Sequence, residues 1–261
     1  LEFRKKMSQI AFSETAYYDS LIANYFNKLS NNNFPEKKIF SSKLLYKLRY
    51  GENPHQKSAI YSFNDTLNLK QLNGKQLSYN NINDIFAALI ISKSLPSDTG
   101  VTIIKHATPC GVSILKDKIK CYQSALACDP ISAFGGIVSC NFKINKKLAS
   151  ELSKIFLEVI IANGFEKKAL KVLKKKKNIR LIDAQSFSFN QDFRMNSINN
   201  SILIQSEDDI KFNSKNFKIV SKTKPNKKQM KNLIFAFNVC RYVKSNAIVL
   251  ASNESTIGIG S

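Results

Sequence analysis

The chain contains no tryptophan and only two histidines, His55 and His106. Imidazole is the side chain best placed to move protons near neutral pH, so acid–base chemistry has few places to reside. The five cysteines, at 110, 121, 128, 140 and 240, form no CxxC pair and are odd in number. That argues against a disulfide framework or a zinc knuckle and for a reducing, cytoplasmic compartment. No run approaches the roughly 18 apolar residues of a membrane helix. The first 30 residues mix Glu2, Glu14 and Asp19 with apolar positions, unlike a signal peptide. Acidic residues are scarce too: 19 Asp and Glu stand against 40 Lys and Arg, a formal charge of +21, and none falls between 211 and 253. Such an excess fits an anionic partner, or simply a lysine- and asparagine-rich composition. A basic nucleic-acid-binding module is the alternative reading. No helix-turn-helix, RRM signature or zinc finger supports it, and the lysines are dispersed with little aromatic interleaving.

The 261 residues, 43% hydrophobic and 23% charged, suffice for one large domain or two modest ones with a proper core. Ile10, Tyr17, Leu21, Tyr25 and Leu29 recur at helical spacing, which predicts a helix over 10–29. Residues 81–95 read as a second helix capped by Asn81 or Asn83, and 146–156 as a third. VTIIKHA (101–107) predicts a buried strand ending in a loop with Pro109 and Gly111; GGIVSCN (135–141) and LEVIIAN (157–163) predict two more. Residues 164–180 read as a basic helix and loop. AIVLA (247–251) reads as a strand leading into the glycine turn of GIGS. Alternating strands and helices imply a sheet with helices on its faces, an α/β fold. The chain begins inside a helix and ends on a strand, so a piece of a longer protein is expected.

In α/β sheets, ligands bind beyond the carboxyl ends of strands, and the polar clusters are expected at such exits. Lys105–His106 follows VTII; Gly135–Gly136 precedes the next strand; Glu158 lies on LEVIIAN; Lys244–Ser245–Asn246 precedes AIVLA. His106 could carry a proton while Lys105 stabilises a developing oxyanion or leaving group. The plainer reading of the pair is a structural lysine and a core histidine. In RYGENPHQ (49–56), Arg49 could fork onto a phosphate and Tyr50 could stack or hydrogen-bond, though such a segment is commonly a surface loop. LNGKQLSYNN (72–81) carries amides and hydroxyls suited to a heteroaromatic ligand, or to a turn with capping residues. A deaminase-type zinc site needs PCxxC and H-x-E. Pro109–Cys110 lacks the second cysteine and no H-x-E occurs; a Walker loop and GxGxxG are also missing.

Six blocks, RYGENPHQ, LNGKQLSYNNINDIFAAL, IIKHATPCG, DPISAFGGIVSCN, FLEVIIANGF and VKSNAIVLASNESTIGIG, occur in this order. Together they resemble the bifunctional purine-biosynthesis enzymes that join AICAR transformylase to IMP cyclohydrolase, over nearly the whole chain. The resemblance implies that 1–40 is the helical end of the cyclohydrolase half with its linker. It makes 41–190 the first α/β lobe of the transformylase half, and 191–261 a connecting segment and the start of the next part. The implied fold is a cytidine-deaminase-like, layered α/β/α sheet without zinc, truncated before a second lobe. The implied reaction moves a formyl group from 10-formyltetrahydrofolate to the 5-amino group of AICAR ribotide, in an enzyme that is a cytoplasmic homodimer at full length. His106 would handle the proton of the attacking amine and Lys105 would assist transfer. Arg49, Tyr50, Asn81, Gly135, Glu158 and Asn246 match nucleotide-contacting positions. No metal, membrane or nucleic-acid partner is implied. Thr108 replaces a common Asn, and Glu158 stands where some members carry Asp. The family's later Gly-Gln-x-x-Arg segment and folate-binding lobe are absent, as is the cyclohydrolase active site. Little or no transformylase activity is expected from these residues alone.

Overall fold

The structure is a computed structural model that describes residues 1–63, 65–189, 193–208 and 213–261. Lys211, the first residue of the acid-free window, lies outside them. In chain order the elements are α1 (Glu2–Leu29), β1 (Lys43–Lys47), β2 (Ala59–Ser62), β3 (Lys70–Asn73), α2 (Tyr79–Ser94), β4 (Val101–Lys105) and β5 (Thr108–Ser113). There follow α3 (Lys118–Cys128), α4 (Pro130–Ala133), β6 (Ile137–Cys140), α5 (Lys146–Leu152), β7 (Val159–Ala162), α6 (Lys167–Leu173) and β8 (Arg180–Asp183). The rest are β9 (Phe193–Ile198), β10 (Ser201–Ser206), α7 (Lys227–Cys240), β11 (Ile248–Ser252) and β12 (Ser255–Gly260).

Eight strands form one mixed sheet in the order β11-β12-β5-β4-β6-β7-β8-β3; β1–β2 and β9–β10 are separate two-stranded ribbons. Strands β6, β7 and β8 are parallel, joined through α5 and α6, and the remaining neighbours are antiparallel. Alternation sorts the side chains into two cores. Val101, Ile103, Val138, Ile160, Ala162 and Leu181 face α3, α5 and α6. Ile104, Val112, Ile137, Val159, Ile161 and Ile182 face α2 and α7. The fold is therefore α/β in three layers, as the alternation implies. Strand β7 is buried at every position because helices cover both faces, which explains its unbroken apolar sequence. Strands β11 and β12 belong to this same sheet, so residues 248–260 share it with the segment 41–190.

Several local expectations are corrected. The loop expected after VTIIKHA is a second strand, β5, turned back on β4 through His106 and Ala107 alone. Both have positive φ, 52° and 58°. Such a turn usually announces itself by Asn-Gly, so its sequence concealed the hairpin. Pro109 pairs with Ile104 beside a register shift, where a missing N–H is tolerated. Gly111 is not a turn residue; a Cβ there would lie 1.9 Å from the Ala125 carbonyl oxygen on α3. The glycines of GIGS lie in strand β12, paired with β11, rather than in a turn. Helix α2 is capped by Ser78, not by Asn81 or Asn83, and Asn81, the third residue of the helix, closes the capping box. Helix α1 starts earlier than expected, at Glu2, and its apolar residues find little cover: Ser20 is its buried position.

Candidate active site

Because β4 runs antiparallel to β6, the exit of β4 and the entries of β6, β7 and β8 meet at one rim of the sheet. Strand β3 ends and β11 begins at this rim as well. The expected polar clusters gather here, but the expectation of carboxyl-terminal exits holds for β4 only. Gly135, Glu158 and Arg180 occupy the amino ends of the parallel strands. Glu158 precedes β7 instead of lying within it.

Asn81 joins local structure to the site. Its Oδ1 accepts from the Ser78 amide at 3.2 Å, closing the capping box, while its Nδ2 donates to Glu158 Oε2 at 2.8 Å. The charged partner of Glu158 is Arg180, whose Nη1 lies 3.5 Å from the same Oε2. Arg180 is 7% exposed and Glu158 41%. Burial pulls the Arg180 guanidinium below its usual pKa, with Glu158 acting in the opposite sense. The carboxylate is thus held from beneath and open from above. Arg180 also donates to the Gln76 carbonyl.

The segment 49–56 is a surface loop, but a docked one. The Tyr50 carbonyl accepts from the Tyr79 amide at 3.1 Å and from Ser58 Oγ at 2.6 Å, tying the loop to the start of α2. The exposed Arg49 guanidinium lies 5.4 Å from the Tyr50 ring centre, and both groups act electrostatically on Arg180.

Lys105 and His106 leave the rim in different company. The Lys105 ammonium donates to the Phe134 carbonyl at 2.7 Å, using one of three donors. Gly135, with φ of 71°, follows that carbonyl; its amide bonds to Phe156 O at 2.9 Å, and the exposed rings of Phe134 and Phe156 stand 5.5 Å apart. His106 is exposed at the hairpin tip, so the core-histidine reading is wrong. Its charged neighbour is Asp84 on α2, whose Oδ1 accepts from the Ala107 amide at 2.6 Å. Burial raises the Asp84 carboxyl above its usual range, and the amides of Ala107 and His106 oppose that shift. Thr108 Oγ1 donates weakly, at 3.4 Å, to the His106 carbonyl. Cys110, just below the hairpin, is inert: burial pushes its thiol up to about 11.

Asn246 stands before β11 at the same rim, three strands from β4, roughly 14 Å at ordinary strand spacing. It is exposed, and its Oδ1 accepts from Ser245 Oγ at 2.8 Å. It does not join the Asn81–Glu158–Arg180 group directly. Asp84 and Arg180 were missed by sequence reading. Asp84 lies one helical turn beyond Asn81, a signal the helix prediction carried. Arg180 ends a lysine-rich stretch that reads as a basic helix and loop. Among the described residues no group of three or more His, Cys, Asp or Glu is arranged to hold a metal ion, and no helix is long and apolar enough to cross a membrane.

The sequence profile of the family described as AICARFT/IMPCHase bienzyme matches residues 1–261. The chain belongs to that family. The bifunctional purine biosynthesis protein PurH of Thermoanaerobacter sp. (strain X514) is 42% identical over 263 residues, covering 99% of this chain and 51% of that protein. The PurH proteins of Oceanobacillus iheyensis and of Listeria monocytogenes serovar 1/2a are each 40% identical, over 265 and 264 residues, again covering 99% of this chain and 52% of theirs. The chain thus spans about half the length of the curated relatives it matches.

Proposed function

We propose that the rim carries the nucleotide-binding part of an AICAR transformylase site, in a cytoplasmic enzyme that moves a formyl group from 10-formyltetrahydrofolate to the 5-amino group of AICAR ribotide. The observation that carries this reading is the Asn81–Glu158–Arg180 network beside an exposed His106. It offers an anchored carboxylate for donor groups of the ligand and an imidazole free to take a proton. Arg49 supplies a fork for the phosphate, Tyr50 and the Gly135 backbone border the heterocycle, and Asn246 contributes from the far end of the rim. In the reaction, the amine nitrogen attacks the formyl carbon while His106 accepts its proton. Lys105, exchanging its bond to the Phe134 carbonyl, stabilises the oxyanion and then the departing folate nitrogen. An amine conjugated to a carboxamide is a poor nucleophile, so both forms of assistance are needed.

On this reading residues 1–40 belong with the cyclohydrolase half, which in the whole enzyme cyclises the formylated product to IMP. Residues 41–190 form the first lobe of the transformylase half, and 191–261 the connection to the rest, with strands of both in one sheet. The reading includes a homodimer at full length and little formyl transfer by this chain alone. Titration of the protein with AICAR ribotide in a calorimeter tests it. Saturable binding is expected, weakened about tenfold or more in His106→Ala or Arg49→Ala, the loss typical of a hydrogen bond to a charged group. Equal affinity in both variants overturns the assignment. A steep salt dependence on random DNA with no preference for AICAR ribotide favours the nucleic-acid reading instead.

A further inference from the structure

The hairpin tip that presents His106 is built against local preference. Two consecutive non-glycine residues sit in the left-handed region, where the Cβ crowds the following carbonyl oxygen. Ala107 has no polar side chain to ease that conformation, so compensation comes from outside the hairpin. The Ala107 amide turns toward an anion. That anion is Asp84, at 2.6 Å from the Ala107 nitrogen. A half-buried carboxylate disfavoured by desolvation needs such donors, and a strained turn needs such an acceptor. Asp84 lies three residues after Asn81, hence on the same face of α2. One helix face therefore grips the His106 turn with one residue and Glu158 with another.

We propose that Asp84 is a positioning residue. Its carboxylate, acting through the Ala107 amide, fixes the direction in which the His106 imidazole leaves the hairpin, and α2 sets the separation between that imidazole and the Glu158 carboxylate. The proposal rests on reading the rim as the AICAR ribotide site. It requires an acceptor at Asp84 Oδ1, which Asn supplies and Ala does not.

The test compares wild type, Asp84→Asn and Asp84→Ala by amide hydrogen exchange in NMR and by calorimetric titration with AICAR ribotide. In Asp84→Ala the Ala107 amide should exchange at least about tenfold faster and nucleotide affinity should fall about tenfold, the usual consequence of losing a charge-assisted bond. Asp84→Asn should keep both within about threefold of wild type, the residue of charge assistance being modest. The Ile103 amide, in the middle of β4, reports whether the sheet stays folded. Wild-type protection of Ala107 or wild-type affinity in folded Asp84→Ala overturns the proposal. If folded wild type binds no AICAR ribotide, the functional reading fails by itself. The exchange data then still decide whether the carboxylate holds the turn: faster Ala107 exchange in Asp84→Ala upholds it, unchanged exchange refutes it.

Discussion

Helix α1 and the strands β6–β8 are both rich in large apolar side chains, yet their surroundings are opposite. In β6 and β7 every residue is buried between two helical layers. In α1 the apolar residues Phe3, Ile10, Leu21, Tyr25 and Leu29 all remain exposed in this chain. A strand with helices on both faces needs no amphipathic pattern, whereas a lone helix buries only what a partner covers. Apolar content alone therefore predicts neither burial nor contribution to stability. The sheet supports the site, and α1 lies outside the energetic centre of the described fold.

The comparison can be broken most severely in the core. Phe142→Ala, at a fully buried ring of the β6 side, should cost about 3–5 kcal/mol in chemical denaturation. A loss comparable to that of a surface substitution would mean the sheet is not the stabilising unit. At the rim, Arg180→Leu removes the buried cation beneath Glu158. A loss of about 1–3 kcal/mol is expected, together with weaker AICAR ribotide binding, because Asn81 alone then orients the carboxylate. Asp84 gives a smaller effect of opposite sign. Its pKa is raised in the folded state, so its protonated form is favoured by folding. That contribution is present below the ordinary carboxylate pKa and is lost as pH rises through the folded-state value. Asp84→Asn should therefore raise thermal stability at neutral pH, with the gain vanishing in acid; a gain that grows in acid would reverse the assignment. The smallest effect belongs to α1, where Leu21→Ala should change stability by less than about 0.5 kcal/mol, as at other exposed positions.

Much of the sheet was legible because its strands are β-branched runs punctuated by glycine, as at Val159–Ala162. The β4–β5 hairpin was not, since His106–Ala107 carries none of the usual turn chemistry and Pro109 looks like a strand breaker. Asn81, Glu158 and His106 could be named from their sequence blocks. That Asn81 reaches Glu158 across 77 positions depends on the order in which α2 and β7 pack, which no local pattern encodes. Arg180 was hidden by its lysine neighbours: composition suggested a basic helix and loop, while the strand it opens carries it inward. Asn246 shares the rim through strand order alone.

The measurement that bears most directly on the account is calorimetric titration of the folded protein with AICAR ribotide, repeated with Arg49→Ala and His106→Ala. The account predicts saturable binding that both substitutions weaken. A folded protein that takes up no nucleotide, or one whose affinity both variants leave unchanged, would contradict it.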